Sequence, residues 1–250
     1  MRAALFVTCL VDLFRPSVGF AAVRLLERLG AEVVVPPEQT CCGQPAYNSG
    51  DFENARVIAR QVIAAFAGYD HVVVPSGSCA GMLVKHYPEL FRDEPETLAA
   101  AQNLAARTRE LSAFLAEHAS DLVAEAHFAG KVAMHDSCSA RRELGVHAAP
   151  CTLIDALGAE RIELKDAEVC CGFGGTFCVK YPDISTRMVS DKAAAVIASG
   201  ADVLVSGDLG CLMNIAGRLK RMDSPVRVYH LAELLAGMTD APDIGAGDKT

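Results

Sequence analysis

Four cysteines recur in two halves of this chain at nearly constant spacing, and that repetition restricts the fold more than any other feature. Cys138, Cys170 and Cys171 follow Cys9, Cys41 and Cys42 by 129 positions each, and Cys211 follows Cys79 by 132. The middle pair of each set belongs to a Cys-Cys-Gly triplet, Cys41-Cys42-Gly43 and Cys170-Cys171-Gly172. The flanking text repeats too. Leu29-Gly30-Ala31-Glu32 precedes the first triplet and Leu157-Gly158-Ala159-Glu160 the second, while Ser76-Gly77 lies before Cys79 and Ser206-Gly207 before Cys211. This is an internal duplication. Its period is too long for a solenoid and suits two domain-sized halves.

Each half alternates short apolar runs with amphipathic stretches. In the first, strands are predicted at Ala3–Thr8, Glu32–Val35 and His71–Pro75, and helices over Val18–Leu29, Phe52–Ala67 and from near Ser78. In the second, strands are predicted at Lys131–His135, Arg161–Leu164, Asp202–Val205 and Val226–Tyr229, and helices over Pro150–Leu157 and Pro182–Ala198. Gly30, Gly68, Gly158 and Gly200 mark helix ends. Strands joined by helical crossovers imply parallel sheets covered on both faces. The expected fold is therefore α/β: two duplicated halves, each a mainly parallel sheet with flanking helices. The alanine-rich segment Thr97–His118 reads as one long joining helix. The halves are taken as residues 1–120 and 121–240, and the tail 241–250 is expected to be disordered.

With 51% hydrophobic and 22% charged residues in 250, the chain can bury a sizeable core, which excludes disorder for most of its length. The net charge of −8 and the lack of a dense basic cluster argue against nucleic acid. Arg218-Leu219-Lys220-Arg221 is the strongest basic run and reads as the solvated last turn of a helix. No apolar stretch is long enough for a transmembrane helix. Ala3–Val11 reads as a buried strand, not a signal peptide, because Asp12 and Arg15 follow without a cleavage site. The expected location is thus cytoplasmic, at most peripheral at a membrane through partners. In a reducing compartment, ten cysteines point to metal or redox chemistry before structural disulfides.

Cys9, Cys79, Cys138 and Cys211 each fall just past the end of a predicted strand, the edge at which parallel α/β sheets place their ligands. The triplets lie in loops that reach the same edge. Four converging thiols can hold zinc, an iron–sulfur cluster or two disulfides. Neither half has a Cys-x2–4-Cys knuckle, and adjacent cysteines are awkward ligands for one tetrahedral ion, so the spacing favours a multinuclear cluster.

The pattern resembles the cysteine-rich CCG domain, found in the B subunit of heterodisulfide reductase and the iron–sulfur subunit of glycolate oxidase. Four stretches look most like the lactate-utilization branch of that family: Pro37-Glu38-Gln39-Thr40-Cys41-Cys42-Gly43-Gln44-Pro45, Pro75-Ser76-Gly77-Ser78-Cys79-Ala80-Gly81-Met82, His135-Asp136-Ser137-Cys138 and Cys170-Cys171-Gly172-Phe173-Gly174-Gly175-Thr176-Phe177. The resemblance implies iron–sulfur clusters, [4Fe-4S] and up to one per half. The implied ligands are Cys9, Cys41, Cys42 and Cys79, and Cys138, Cys170, Cys171 and Cys211. It also implies an electron-transfer role beside other iron–sulfur or flavin subunits of a complex that oxidises L-lactate. A glycolate oxidase-type subunit, a heterodisulfide reductase-like thiol/disulfide redox subunit and a zinc-stabilised binding module are the competing readings. Met82 and Asn214 stand where the heterodisulfide reductase pattern ends in a fifth cysteine, which weakens the disulfide reading. Met82 is read as a core residue or a thioether ligand, and Asn214 as a helix-surface residue.

Four further positions matter. Cys178 is a candidate extra ligand of the second centre or a loop thiol, and Cys151 a small buried hydrophobe. His135 is read either as a hydrogen-bond partner tuning the second centre or as a packed strand histidine. The Gly172-Phe173-Gly174-Gly175 run lacks the Gly-Lys-Ser/Thr of a phosphate loop, so its glycines are read as letting backbone N–H groups approach sulfur. No nicotinamide or flavin fingerprint occurs in the sequence.

Overall fold

A computed structural model describes residues 1–118 and 126–246. The expected half boundary near residue 120 lies outside the described residues. The first half contains β1 (Arg2–Leu5), α1 (Cys9–Phe14), α2 (Pro16–Arg28), β2 (Glu32–Val34), α3 (Gln44–Asn48), α4 (Phe52–Ala65), β3 (His71–Val74), α5 (Gly77–Gly81), α6 (Tyr87–Leu90), α7 (Pro95–Arg107), β4 (Thr108–Glu110) and α8 (Leu111–His118). The second contains β5 (Lys131–Met134), α9 (Ala148–Ala156), β6 (Glu160–Ile162), α10 (Phe177–Lys180), α11 (Pro182–Ala198), β7 (Val203–Ser206), α12 (Leu209–Arg221), β8 (Arg227–His230) and α13 (Leu231–Leu235). Single π-helical turns run over Met82–His86 and Ser139–Glu143. Such turns are rare and often sit at functional sites.

The two sheets repeat one topology, β2-β1-β3-β4 and β6-β5-β7-β8, with every pairing parallel. This is the expected duplicated α/β fold. Parallel strands need long crossovers, and the helices supply them while covering both faces.

The joining segment departs from expectation. Thr97–His118 is not one helix, because Thr108–Glu110 leaves it to pair with β3, with Val72 opposite Thr108 and Val74 opposite Glu110. Thr108 Oγ1 donates to the Leu104 carbonyl at 2.8 Å, closing α7. The buried Glu110 carboxylate accepts from Ser112 N at 2.8 Å and Ala113 N at 3.2 Å, starting α8. Helix propensity over the alanines is overridden by one strand's worth of tertiary pairing. The tail also departs where it is described, up to residue 246; its last residues, 247–250, lie outside the described residues. Through Ala246 it is docked: Ile244 is buried and its N–H donates to the Val228 carbonyl at 2.8 Å, while Pro242 accepts from the Arg15 guanidinium at 2.7 Å. An apolar side chain and a strand edge hold what composition alone assigned to solvent.

The halves share one core. Side chains alternate across a strand. In β1, Ala4 joins Phe6, Val72 and Val74 under α4 and α7, whereas Ala3 and Leu5 join a core that continues into the second half. Helix α2 turns Val18, Ala21, Ala22, Leu25 and Leu26 into that shared core. Each fully buried leucine there contributes about 1.5–3 kcal/mol. At its rim Glu233, fully buried, accepts from Arg15 Nε at 2.8 Å and from Ser17 Oγ at 2.6 Å, binding α2 to α13.

A second junction lies where the sheet edges meet. Helix α5 packs on the π turn of the second half so closely that a Cβ at Gly77 would lie 2.6 Å from Ala140 Cβ. Beside it, His86 Nε2 and Glu143 Oε2 approach to 3.3 Å. The Glu143 carboxylate raises His86 above its ordinary 6.5, and His86 in turn lowers Glu143 below its ordinary 4.5. The histidine's contribution is complete below pH 6.5 and lost as pH rises through its folded value; the glutamate's is complete above pH 4.5 and lost on acidification. The pair therefore stabilises most between those limits. We expect the wild type to exceed a His86→Gln chain by about 0.5–1 kcal/mol at pH 6 in urea melts, with the difference fading by pH 9. A difference that is flat with pH would contradict this.

Candidate metal centre

Every half-site is built the same way. Each contributing strand stops, and the chain turns into a helix that begins next to a cysteine. Cys9 opens α1 just beyond β1. Ser76 caps α5, its Oγ accepting from Cys79 N at 3.2 Å, which fixes Cys79 in the first turn. Cys138 immediately precedes the second-half π turn, and Asp208 precedes α12, which carries Cys211.

The triplets have a conformational reason. Gly43 and Gly172 have φ of +80° and +82°, the left-handed region that glycine alone enters cheaply. That conformation turns the glycine N–H back onto the first cysteine of the triplet: Gly43 N donates to Cys41 Sγ at 3.4 Å and Gly172 N to Cys170 Sγ at 3.3 Å. The second cysteine of each triplet points inward, Cys42 being 3% and Cys171 1% exposed. Alanine at either glycine incurs the left-handed penalty of roughly 1–2 kcal/mol. At Gly172 a Cβ would also lie 2.9 Å from the Ser185 carbonyl, whereas at Gly43 its nearest neighbour is the Ile58 methyl at 3.3 Å. Gly172→Ala is therefore expected to lower the unfolding midpoint more than Gly43→Ala; the reverse order in thermal melts would contradict this assignment.

The eight repeated cysteines line one cavity of about 290 Å³ between the halves. A single water needs roughly 10–15 Å³. In the first half Cys9 and Cys41 lie 3.7 Å apart and Cys42 and Cys79 3.3 Å apart. A disulfide needs about 2.05 Å, and all ten cysteines are free. In the second half the thiols of Cys138, Cys170, Cys171 and Cys211 line the same cavity, with the Sγ atoms of Cys171 and Cys211 within 4.8 Å of each other.

Electrostatics make these thiols interdependent. Hydrogen bonds from Cys42 and Cys9 push Cys41 down to about 2, and those from Cys138 and Cys171 push Cys170 down to about 2. Their neighbours move the other way: Cys9 and Cys42 are raised by bonding to Cys41, and Cys138 and Cys171 by bonding to Cys170, with burial adding to each shift. Each set thus accommodates one thiolate and resists further charge. A buried set of four thiolates requires cations to neutralise it. The close non-bonded sulfurs, the amide donors aimed at sulfur and the thiol-lined cavity fit an iron–sulfur group in each half.

Residues outside the eight sort clearly. Cys178 is not among the residues lining the cavity; its Sγ faces the Gly175 carbonyl at 3.7 Å. Cys151 is only half-buried, on α9, and borders a separate cavity with Asp136, Arg141 and His147. Asp136 is tied up there, accepting from Arg141 at 2.6 Å and meeting His147 at 2.7 Å. Met82 is fully buried in the first-half core. Asn214 is not a free surface residue: its Nδ2 donates to the Cys171 carbonyl at 2.9 Å, bracing the second triplet. Tyr87, whose Oη donates to the Cys42 carbonyl at 2.9 Å, braces the first. Sequence spacing gave no sign of either brace, since both depend on how the helices pack.

Among the described residues no helix is long and apolar enough to cross a membrane.

Two parallel α/β halves, each presenting a Cys-Cys-Gly loop and two strand-end cysteines to one cavity, define a duplicated cysteine-rich domain. The sequence profile of the cysteine-rich (CCG) domain matches residues 3–84 and 132–216. Over 238 residues, 94% of this chain and 98% of the relative, the sequence is 50% identical to lactate utilization protein A of Geobacillus kaustophilus. It is 49% identical over 236 residues to the protein of that name from Geobacillus thermodenitrificans (94% and 98% covered). It is 48% identical over 237 residues to that of an Exiguobacterium species (94% and 96%). The chain belongs to the cysteine-rich CCG-domain family, in the branch formed by these lactate utilization A proteins.

Proposed function

We propose that this chain is an iron–sulfur electron-transfer subunit of a cytoplasmic system that oxidises L-lactate. The observation that carries this reading is the convergence of two matched sets of four thiols on one shared cavity. Cys9, Cys41, Cys42 and Cys79 would hold one [4Fe-4S] cluster, and Cys138, Cys170, Cys171 and Cys211 the other. When bound, such a cluster supplies reversible one-electron transfer. The protein's own part is to bind and tune. Its thiolates would be the ligands, the Gly43 and Gly172 amides donate to sulfur, and Cys42, Cys79 and Cys171 set the inner, buried side of each centre. The oxidation of the hydroxy acid itself is assigned to a partner subunit carrying a flavin or further iron–sulfur centres. The lactate assignment rests on the name of relatives that are about half identical over nearly the whole chain.

Deleting the gene from its host is expected to abolish growth on L-lactate as carbon source. The wild-type gene should restore growth, and a Cys42→Ser, Cys171→Ser double variant should not. Normal growth of the deletion strain on lactate would overturn the pathway assignment.

A further inference from the structure

The two halves differ in chemistry at a position beside the second set of thiols. The 129-residue offset that aligns the cysteines places His135 over Phe6. Phe6 does what a strand-end apolar residue does: it is fully buried and packs on Phe66, ring centroids 5.3 Å apart. His135 occupies the same place with no exposure, and neither ring nitrogen has a hydrogen-bond partner. Leaving a buried polar group unpaired costs about 1–3 kcal/mol, so an imidazole in a slot that tolerates phenylalanine calls for a partner. Among the described residues, the groups within reach with the right chemistry are sulfurs. A ring nitrogen of His135 and the Sγ atoms of Cys171 and Cys211 lie within 4.8 Å of one another. No hydrogen bond joins the imidazole to either thiol. That spacing is too open for direct bonding and close enough for all three to touch one metal atom.

We propose that His135 is a nitrogen ligand of the second metal centre, which makes the two centres chemically distinct. One ring nitrogen donates its lone pair to the metal, and the other keeps its hydrogen. The assignment rests on the iron–sulfur reading above. It also gives the second half a ligand set of mixed softness, while the first remains all-thiolate. Imidazole is neutral, so its addition to the four thiolates leaves the charge of the centre unchanged and gives it a nitrogen donor that the first centre lacks. The Lys192 ammonium adds to the same asymmetry. It is 3% exposed, donates to the Asp166 carbonyl at 2.7 Å and lies within the field of Cys171 and Cys138, while the 129-residue offset places Ile63 at its counterpart.

The test uses the full chain, purified without oxygen and labelled with 15N-histidine, with pulsed EPR recorded in whichever of its reduced or oxidised states is paramagnetic. We expect the strong hyperfine coupling of a directly bound nitrogen, changing with the isotope and lost in His135→Phe. The control variant Phe6→Leu should keep it. Iron-loaded wild type without such coupling, or coupling that survives His135→Phe, overturns the assignment. The labelled wild type decides the matter even if the variant fails to fold. A wild-type chain that takes up no iron would instead overturn the iron–sulfur reading, and this assignment with it.

Discussion

Changing Cys171 to serine is expected to remove about half of the chain's iron and sulfide, and Cys42→Ser the other half. Both side chains are the most buried members of their sets, at 1% and 3% exposure, and each lies beside another cysteine of its set, Cys171 within 4.8 Å of Cys211 and Cys42 at 3.3 Å from Cys79. A serine hydroxyl is of similar shape, so the fold should survive. It ionises far less readily than a thiol and is a poor ligand for soft metals, so the set loses its innermost anchor. Because each set is contributed by its own half, loss should be confined to that half. Cys151→Ser and Cys178→Ser should leave the metal content unchanged, since Cys178 Sγ faces the Gly175 carbonyl and Cys151 borders a separate cavity. Metal and acid-labile sulfide analysis of anaerobically purified variants, with circular dichroism as a check on folding, measures this. Equal and complete loss from either single substitution would show that the halves do not bind independently. Unchanged iron in Cys171→Ser would remove Cys171 from the ligand set.

The largest stability effect is expected at Asp208, a residue that no motif singles out. It sits three positions before Cys211, as Ser76 sits three before Cys79. The two helix starts meet across the junction of the halves. Asp208 is 4% exposed and accepts from Ser76 Oγ at 2.7 Å, Ser78 Oγ at 2.7 Å and Ser78 N at 3.1 Å. An aspartate of one half thus caps the cysteine-bearing helix of the other, where a negative charge also suits the helix dipole. Asp208→Ala would strand one buried donor, Ser76 Oγ, and two half-buried donors of Ser78. With unsatisfied groups costing about 1–3 kcal/mol each and some relaxation, we expect a loss of about 3 kcal/mol. For a chain of this size that corresponds to a fall in Tm of roughly 6–12 °C. Asp208→Asn keeps one acceptor and should lose less. Thermal melts that place Asp208→Ala within about 0.5 kcal/mol of wild type would mean that this contact does not hold the halves together.

What the sequence disclosed, and what it withheld, follows from the range of the interactions. The cysteine register was legible because duplication copied it, and the order of strands and cysteines along the chain is enough to direct all eight thiols to one sheet edge. Helix α11 was legible to the residue, since Pro182 opens it and Gly200 follows its end. Strand β4 was not. Thr-Arg-Glu has no apolar alternation, and its strand character comes from β3 beside it. The duplication held the missing clue, because the second sheet's β8 demands a counterpart in the first. The junction contacts were also hidden. Nothing in Ser76, Gly77 or Asp208 taken singly says that they meet partners from the other half. His135 is an intermediate case: its place beside Cys138 was visible, but its missing hydrogen bonds required the packed core.

What the eight thiols hold decides the function of this chain. The most direct measurement is iron and acid-labile sulfide per chain in protein purified without oxygen. Two [4Fe-4S] clusters give about eight of each, four per set of four cysteines. Stoichiometric zinc without sulfide would contradict that assignment.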